Sequence, residues 1–361
     1  MPNMKKLNKD NYIGCLLGGA VGDALGAPTE FMTLEQIIHQ FGAHGVSEYV
    51  EFTDKIGRFT DDTQMTLFTA EGLLRSINRA SMRGIWGAYL QIVHHSYIRW
   101  LHTQQGQFGS LPGDNPLLRS WLLNQELLYQ RRSPGNTCLN ALQSGKAGTI
   151  HHPINNSKGC GGIMRIAPVG LLFQNPEEAF KIAAELAAIT HGHPDGYLPA
   201  GALASLISYF HQDISLENSL LETLRILKKW NQHEETAGVI YKAIDLSPKQ
   251  PPAFSQIERL GQGWTGEEAL SISLYCALCY PNDFEKAVVL AVNHSGDTDS
   301  TGSITGNLLG CLLGQNSIPK RWQENLELSS LVAEIAEDLY IENKGDSFIR
   351  DENWDKKYPG C

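Results

Sequence analysis

GCLLGGAVGDALG (residues 14–26) repeats glycine every four residues, at 14, 18, 22 and 26, within an otherwise apolar run. TGSITGNLLGCLLG (301–314) does the same with Gly302, Gly306, Gly310 and Gly314. Four-residue spacing puts each set on one face of a helix. Glycine inside a helix costs about 1 kcal/mol relative to alanine, so two glycine faces require a compensating gain. Close approach of the two helices supplies one. In a bilayer such a pattern marks helix dimerisation, but Asp297 and Asp299 flank the second stretch, and no apolar run approaches the roughly 20 residues of a membrane span. The two helices are expected to pack deep inside a helical domain and bring their acidic ends together.

Helical periodicity continues along the chain. Leu216, Leu220, Leu224 and Leu227 share one face, as do Leu328, Leu331, Val332, Ile335 and Leu339. Asn175-Pro176 reads as cap and first-turn proline, and Thr265 with Glu268 as a capping box. VSEYVEF (46–52) is the best strand candidate and equally suits an extended loop. Residues 102–160 lack clear periodicity except in SPGNTCLNAL, a short capped helix. Such irregular stretches often serve as lids or binding loops. With no linker-like tract, the economical architecture is one all-α domain over 1–361, with 315–361 as a C-terminal packing segment.

Against 29 Lys and Arg stand 39 Asp and Glu, a formal charge of -10 that repels polyphosphate backbones and argues against a nucleic-acid partner. The basic pairs Lys228-Lys229 and Lys356-Lys357 are too short to anchor the chain at an anionic membrane. Lys5, Lys6 and Lys9 precede an apolar segment in the manner of a signal peptide, but Asp23 and Glu30 follow closely, which favours a cytoplasmic protein. The seven cysteines are read as reduced thiols, and Cys276-x-x-Cys279 as a buried helical pair with no zinc partner.

Candidate chemistry sits at helix starts. Thr60-Asp61-Asp62-Thr63 precedes one helical run, and Asp297-Thr298-Asp299-Ser300-Thr301 opens the second glycine helix. Capping and the helix dipole explain part of this. Gathering the carboxylates in one place requires cations, and carboxylate and hydroxyl donors select a hard ion such as magnesium, manganese or calcium. His294 fits a supporting role beside such a site. Glu30 adds a fifth carboxylate, which is equally a solvated loop acid. Gly159-Cys160-Gly161-Gly162, before Met164 and Arg165, allows close backbone approach to a ligand but is not a Walker loop, and a plain turn is the alternative. His191 and His193 suit ligand, base or helix-end roles.

Taken together, GCLLGGAVGDALGAPTEF (14–31), GRFTDDTQMTL (57–67), GCGGIMRIAPVGL (159–171), THGHP (190–194) and SGDTDSTGSITGNLLG (295–310) resemble the motifs of the ADP-ribosylglycohydrolases. The resemblance implies a compact all-α fold with a central cleft holding two Mg2+ or Mn2+ ions. Thr60, Asp61 and Asp62 match one ligand group, and Asp297, Asp299 and Ser300 the other. Glu30 matches the acidic residue near the metals, so Asp61, Asp62 and Glu30 are the candidates for catalytic base. Gly159, Cys160, Gly161, Gly162, Met164 and Arg165 match the loop that holds ADP-ribose, and His191 lies by analogy beside the cleft. Cys160 stands where many relatives carry asparagine, and Ser300 where others carry threonine.

The expected activity is hydrolysis of the N-glycosidic bond between ADP-ribose and an arginine of a modified protein, in regulation or in defence against an ADP-ribosylating toxin. The rivals are hydrolysis of a serine-linked or O-acetyl conjugate, a two-metal phosphohydrolase, and a catalytically silent ADP-ribose-binding or structural member.

Overall fold

The computed structural model describes residues 7–52, 55–84, 86–109, 119–247, 252–344 and 352–360. Its first helices are α1 (Lys9–Gly26), α2 (Leu34–Phe41), α3 (Asp61–Arg83) and α4 (Tyr89–Gln105). Short 3-10 turns at Leu122–Asn124 and Glu126–Tyr129 lead to α5 (Asn136–Gln143), and another at Cys160–Gly162 leads to α6 (Ala167–Leu172). Then come α7 (Pro176–Ala188), α8 (Pro194–Phe210), α9 (Leu216–Leu227), α10 (Glu234–Leu246) and α11 (Phe254–Ile257). The chain ends with α12 (Gly266–Cys279), α13 (Phe284–Ala291), α14 (Thr298–Leu313), α15 (Lys320–Asn325), α16 (Ser329–Lys344) and α17 (Glu352–Lys357). The fold is all-α; among the described residues only two isolated β-bridges occur.

The glycine faces meet as an antiparallel pair at the centre. A β-carbon at Gly14 would lie 2.3 Å from the Gly310 carbonyl oxygen, one at Gly18 2.5 Å from that of Gly306, and one at Gly22 2.0 Å from that of Gly302. No side chain fits at those distances, so the backbones are in direct contact. Register is fixed by Asn11 Nδ2 donating to the Cys311 carbonyl and Asn307 Nδ2 to that of Cys15, each at 2.8 Å. Gly314 departs from the expected comb: it caps α14 at φ +85°, beyond the helical face, and Gly26 packs instead on the Thr298 carbonyl. Because the pair is antiparallel, the C-terminal end of α1 meets the N-terminal end of α14.

Other local expectations divide. Asn175 caps α7 as read, accepting from the Glu177 and Glu178 amides, and Leu216, Leu220, Leu224 and Leu227 of α9 are buried. The Thr265–Glu268 capping box does not form: Glu268 accepts from the Gln262 amide, and Thr265 Oγ1 is buried without a partner. Leu328 lies outside α16, in a left-handed turn at φ 52°. VSEYVEF is an extended loop rather than a strand, anchored where Asn293 exchanges two hydrogen bonds with the Val46 backbone. The short helix in SPGNTCLNAL is α5, whose N-cap residue, Gly135, provides no side-chain cap. Cys276 is fully buried and Cys279 partly so, as helical packing requires.

One continuous cluster of buried apolar side chains runs from Tyr12 to Tyr358 and includes Leu331, Ile335 and Trp354 of the C-terminal segment. No helix among the described residues is long and apolar enough to cross a membrane.

Candidate cation and substrate cavity

The α1–α14 contact delivers two acidic helix ends, and Asp23 brings in a third element. Asp23, fully buried on α1, accepts hydrogen bonds from the Thr60 amide at 2.8 Å and the Thr63 amide at 3.0 Å, so it holds the first turn of α3. Thr60 Oγ1 caps that turn by accepting from the Asp62 amide and donates to Asp299 Oδ2 at 3.1 Å. Asp297 caps α14 by accepting from the Ser300 amide. Thr298 Oγ1 donates to the Gly26 carbonyl at 2.9 Å, which ties the two glycine helices where they open onto the site.

Here a cavity of about 370 Å³ forms. Glu30, Asp61, Asp62, Asp297, Asp299 and Ser300 line it together with Gly159, Cys160, Gly161, Met164 and His191. Thr60 stands one hydrogen bond behind this wall. Gly162 and Arg165 are not on it: Gly162 packs against the Gly196 carbonyl, and Arg165 is fully buried, donating to Thr190 Oγ1 at 2.7 Å and lying over the Tyr97 ring at 4.3 Å. A guanidinium so enclosed braces the loop from below. His193 caps α8, and His294 Nε2 contacts Thr301 Oγ1 away from the cavity.

Several lining residues escaped the sequence reading. Ser133 to Cys138 form a wall from the stretch without periodicity, and Phe31 and Trp264 stand in loops. Asp23 had a signal, a lone carboxylate on the interior of a glycine comb, but nothing in its spacing pointed to Thr60.

In the cation-free protein the carboxylates are held toward their protonated forms. Burial, then repulsion from Asp299, Asp297 and Asp61, pushes Glu30 up to about 10, opposed by a hydrogen bond from Ser133. Burial and Asp299 push Asp23 to about 7 and hold Asp61, Asp62 and Asp297 well above the usual carboxylate range. Burial, with Arg165 nearby, lowers His191 to about 3, so that imidazole is neutral. Cys160 donates its thiol proton to Asp297 Oδ2 at 2.7 Å.

These residues fit a hard divalent cation. Oxygens of Glu30, Asp297 and Asp299 lie within 4.8 Å of one another. Asp62 Oδ2, Asp299 Oδ1 and Glu30 Oε2 are buried with no protein hydrogen-bond partner. Unpartnered buried carboxylate oxygens are costly unless a cation satisfies them, and an all-oxygen donor set suits magnesium, manganese or calcium.

The family model described as ADP-ribosylglycohydrolase matches residues 4–347. The chain is 25% identical to the ADP-ribosyl-[dinitrogen reductase] glycohydrolase of Rhodospirillum rubrum, over 88% of this chain and 91% of that protein. It is 24% identical to the ADP-ribosylarginine hydrolase Tri1 of Pseudomonas putida, over 92% and 78%. Among solved structures, an ADP-ribosylglycohydrolase-related protein complex superposes with TM-score 0.65 at 24% identity, covering 93% of this chain and 98% of that one, a likeness of fold.

Proposed function

The chain belongs to the ADP-ribosylglycohydrolase family, and from that premise we propose that it hydrolyses the N-glycosidic bond joining ADP-ribose to an arginine side chain of a modified protein, using two Mg2+ or Mn2+ ions. The observation that carries this reading is the convergence of Glu30, Asp61, Asp62, Asp297 and Asp299 on one cavity, three of their oxygens left unpartnered.

In this reading Asp61, Asp62, Asp297 and Asp299, with the hydroxyls of Thr60 and Ser300, hold the cations. Bound there, such ions supply positive charge that neutralises the carboxylates and acidifies a water. Glu30, Asp61 and Asp62 are the proton acceptors within reach. Glu30 and Asp62 each retain a buried oxygen free of protein hydrogen bonds, whereas Asp61 Oδ2 accepts a long one, 3.4 Å, from the Gly135 amide. The anionic wall favours a sugar that gains positive charge as its glycosidic bond breaks.

The opposite wall suits the ADP-ribose portion. A β-carbon at Gly161 would fall 2.9 Å from Cys138 Sγ and 3.0 Å from His191 Cε1, so glycine lets these two cavity-lining side chains pack directly on the 3-10 turn. Arg165 supports this turn through Thr190, the residue before His191.

The test is incubation with arginine-linked, serine-linked and O-acetyl ADP-ribose, with and without magnesium. The expected result is metal-dependent release of free ADP-ribose, fastest from arginine. AMP or phosphate as product would overturn the reading in favour of a phosphohydrolase, and binding without turnover would make the protein a silent relative.

A further inference from the structure

We propose that the stacked rings of Phe31 and Trp264 form an aromatic platform at the cavity, on whose open face the guanidinium of the departing arginine lies, and that it so selects a cationic leaving group over a neutral one. The inference rests on the glycohydrolase reading and names the residues that set its linkage preference.

Both rings line the cavity and stack on each other, with centroids 5.1 Å apart and planes 24° from parallel. Phe31 is 69% exposed, so its ring is open to solvent while also meeting Trp264. It directly follows Glu30, so carboxylate and ring reach the mouth from one short turn. Its backbone is left-handed at φ 71°, a conformation unfavourable for a non-glycine residue. Two hydrogen bonds maintain it: the Phe31 amide donates to the Gly296 carbonyl, and the Gly296 amide to that of Met32, each at 3.2 Å. The strain is thus fixed to the loop that leads into α14.

Trp264 is equally set. Its carbonyl accepts from the Cys160 amide at 3.1 Å, and its indole Nε1 donates to Gln262 Oε1 at 3.2 Å. The platform is therefore held to the acidic wall at Phe31 and to the glycine-rich turn at Trp264, both through backbone hydrogen bonds.

Charge decides what it binds. Among the described residues, five carboxylates and no lysine or arginine line the cavity, so even two bound divalent cations leave the ionised wall net negative. Phosphates are disfavoured beside Glu30, whereas a planar cation gains twice there, by stacking on an aromatic face and by pairing with a carboxylate. A serine hydroxyl or an acetate gains neither.

The test compares the wild type with Phe31→Ala and Trp264→Ala, with Phe31→Tyr and Trp264→Phe as variants that keep an aromatic ring. Removing either ring is expected to lower kcat/KM for an arginine-linked substrate about three- to thirtyfold, the range of a cation–π contact. The loss toward O-acetyl-ADP-ribose should be smaller, the inhibition constant of free ADP-ribose unchanged, and the aromatic variants largely restored. A parallel rise in the ADP-ribose inhibition constant would show that the rings hold the nucleotide end and would overturn the proposal. So would equal losses on both substrates. Calorimetric titration with agmatine, a guanidinium free of ADP-ribose, reads the platform without turnover: binding is expected in the wild type and loss of it in Phe31→Ala, and no binding in the wild type counts against the proposal. Failure of the wild type to cleave any arginine-linked substrate would instead count against the glycohydrolase reading.

Discussion

At the scale of single residues, the site is a problem of charge confined in a dry place. Asp61, Asp62, Asp297 and Asp299 are at most 4% exposed, so removing any one should damage both cation binding and catalysis. Asp61→Ala and Asp299→Ala are each expected to cut release of ADP-ribose at least about a hundredfold, while circular dichroism shows the helical content retained. The pH dependence follows from the same burial. Asp23 and Glu30 in the cation-free protein are raised to about 7 and about 10 from ordinary values of 3.8 and 4.5. A carboxyl raised in the folded state contributes stability that is full below its unfolded value, about 4, and is lost as pH climbs through the folded one. Thermal unfolding of the metal-free protein should therefore occur at progressively lower temperature from about pH 5 to about pH 8, and saturating manganese should flatten that slope. A metal-free melting temperature constant across the window would contradict it.

At the scale of elements, the glycine-faced pair is what aims the carboxylates. Asp23 lies on α1 and Glu30 just beyond it, and Asp297 and Asp299 stand at the start of α14, so a shift between these helices moves four acids at once. Gly306→Ala places a β-carbon 2.0 Å from the Gly18 carbonyl oxygen, an atom of rigid backbone. It is expected to destabilise by about 1–3 kcal/mol in urea unfolding and to weaken manganese binding. Gly238→Ala in α10 meets nothing within 4 Å and should instead stabilise by about 0.5–1 kcal/mol. The glycine comb and its acidic ends were readable because four-residue spacing has one geometric meaning on a helix. The wall from Ser133 to Cys138 was not, since a loop's path is fixed by distant partners rather than by local periodicity. Here the Arg132 carbonyl accepts the Asp61 amide at 3.2 Å, and the Gly135 amide reaches Asp61 Oδ2. Arg165 shows the converse limit: a motif match identified the residue, but only burial reveals that it braces the loop from behind.

At the scale of the whole molecule, distant stretches of chain build one cavity, and the C-terminal segment, expected from sequence to serve packing, holds part of its wall from behind. Glu327 pairs with Arg132 at 2.6 Å and Arg58 at 3.5 Å, and its amide donates to the Gly57 carbonyl at 2.9 Å. Arg132 Nη1 in turn donates to the Phe59 carbonyl, next to Thr60. Glu327→Ala would leave the buried Arg132 guanidinium short of its counter-charge, with an expected cost of about 3–5 kcal/mol in urea unfolding. Cation binding should also stabilise the fold as a whole, by about 2.7 kcal/mol at a free concentration one hundred times the dissociation constant. The most direct test of the central claim is an anomalous difference map from crystals grown with manganese. The account predicts manganese peaks in the cavity, ligated by oxygens of Asp61, Asp62, Asp297 and Asp299, and a cavity free of manganese at saturating concentration would contradict it.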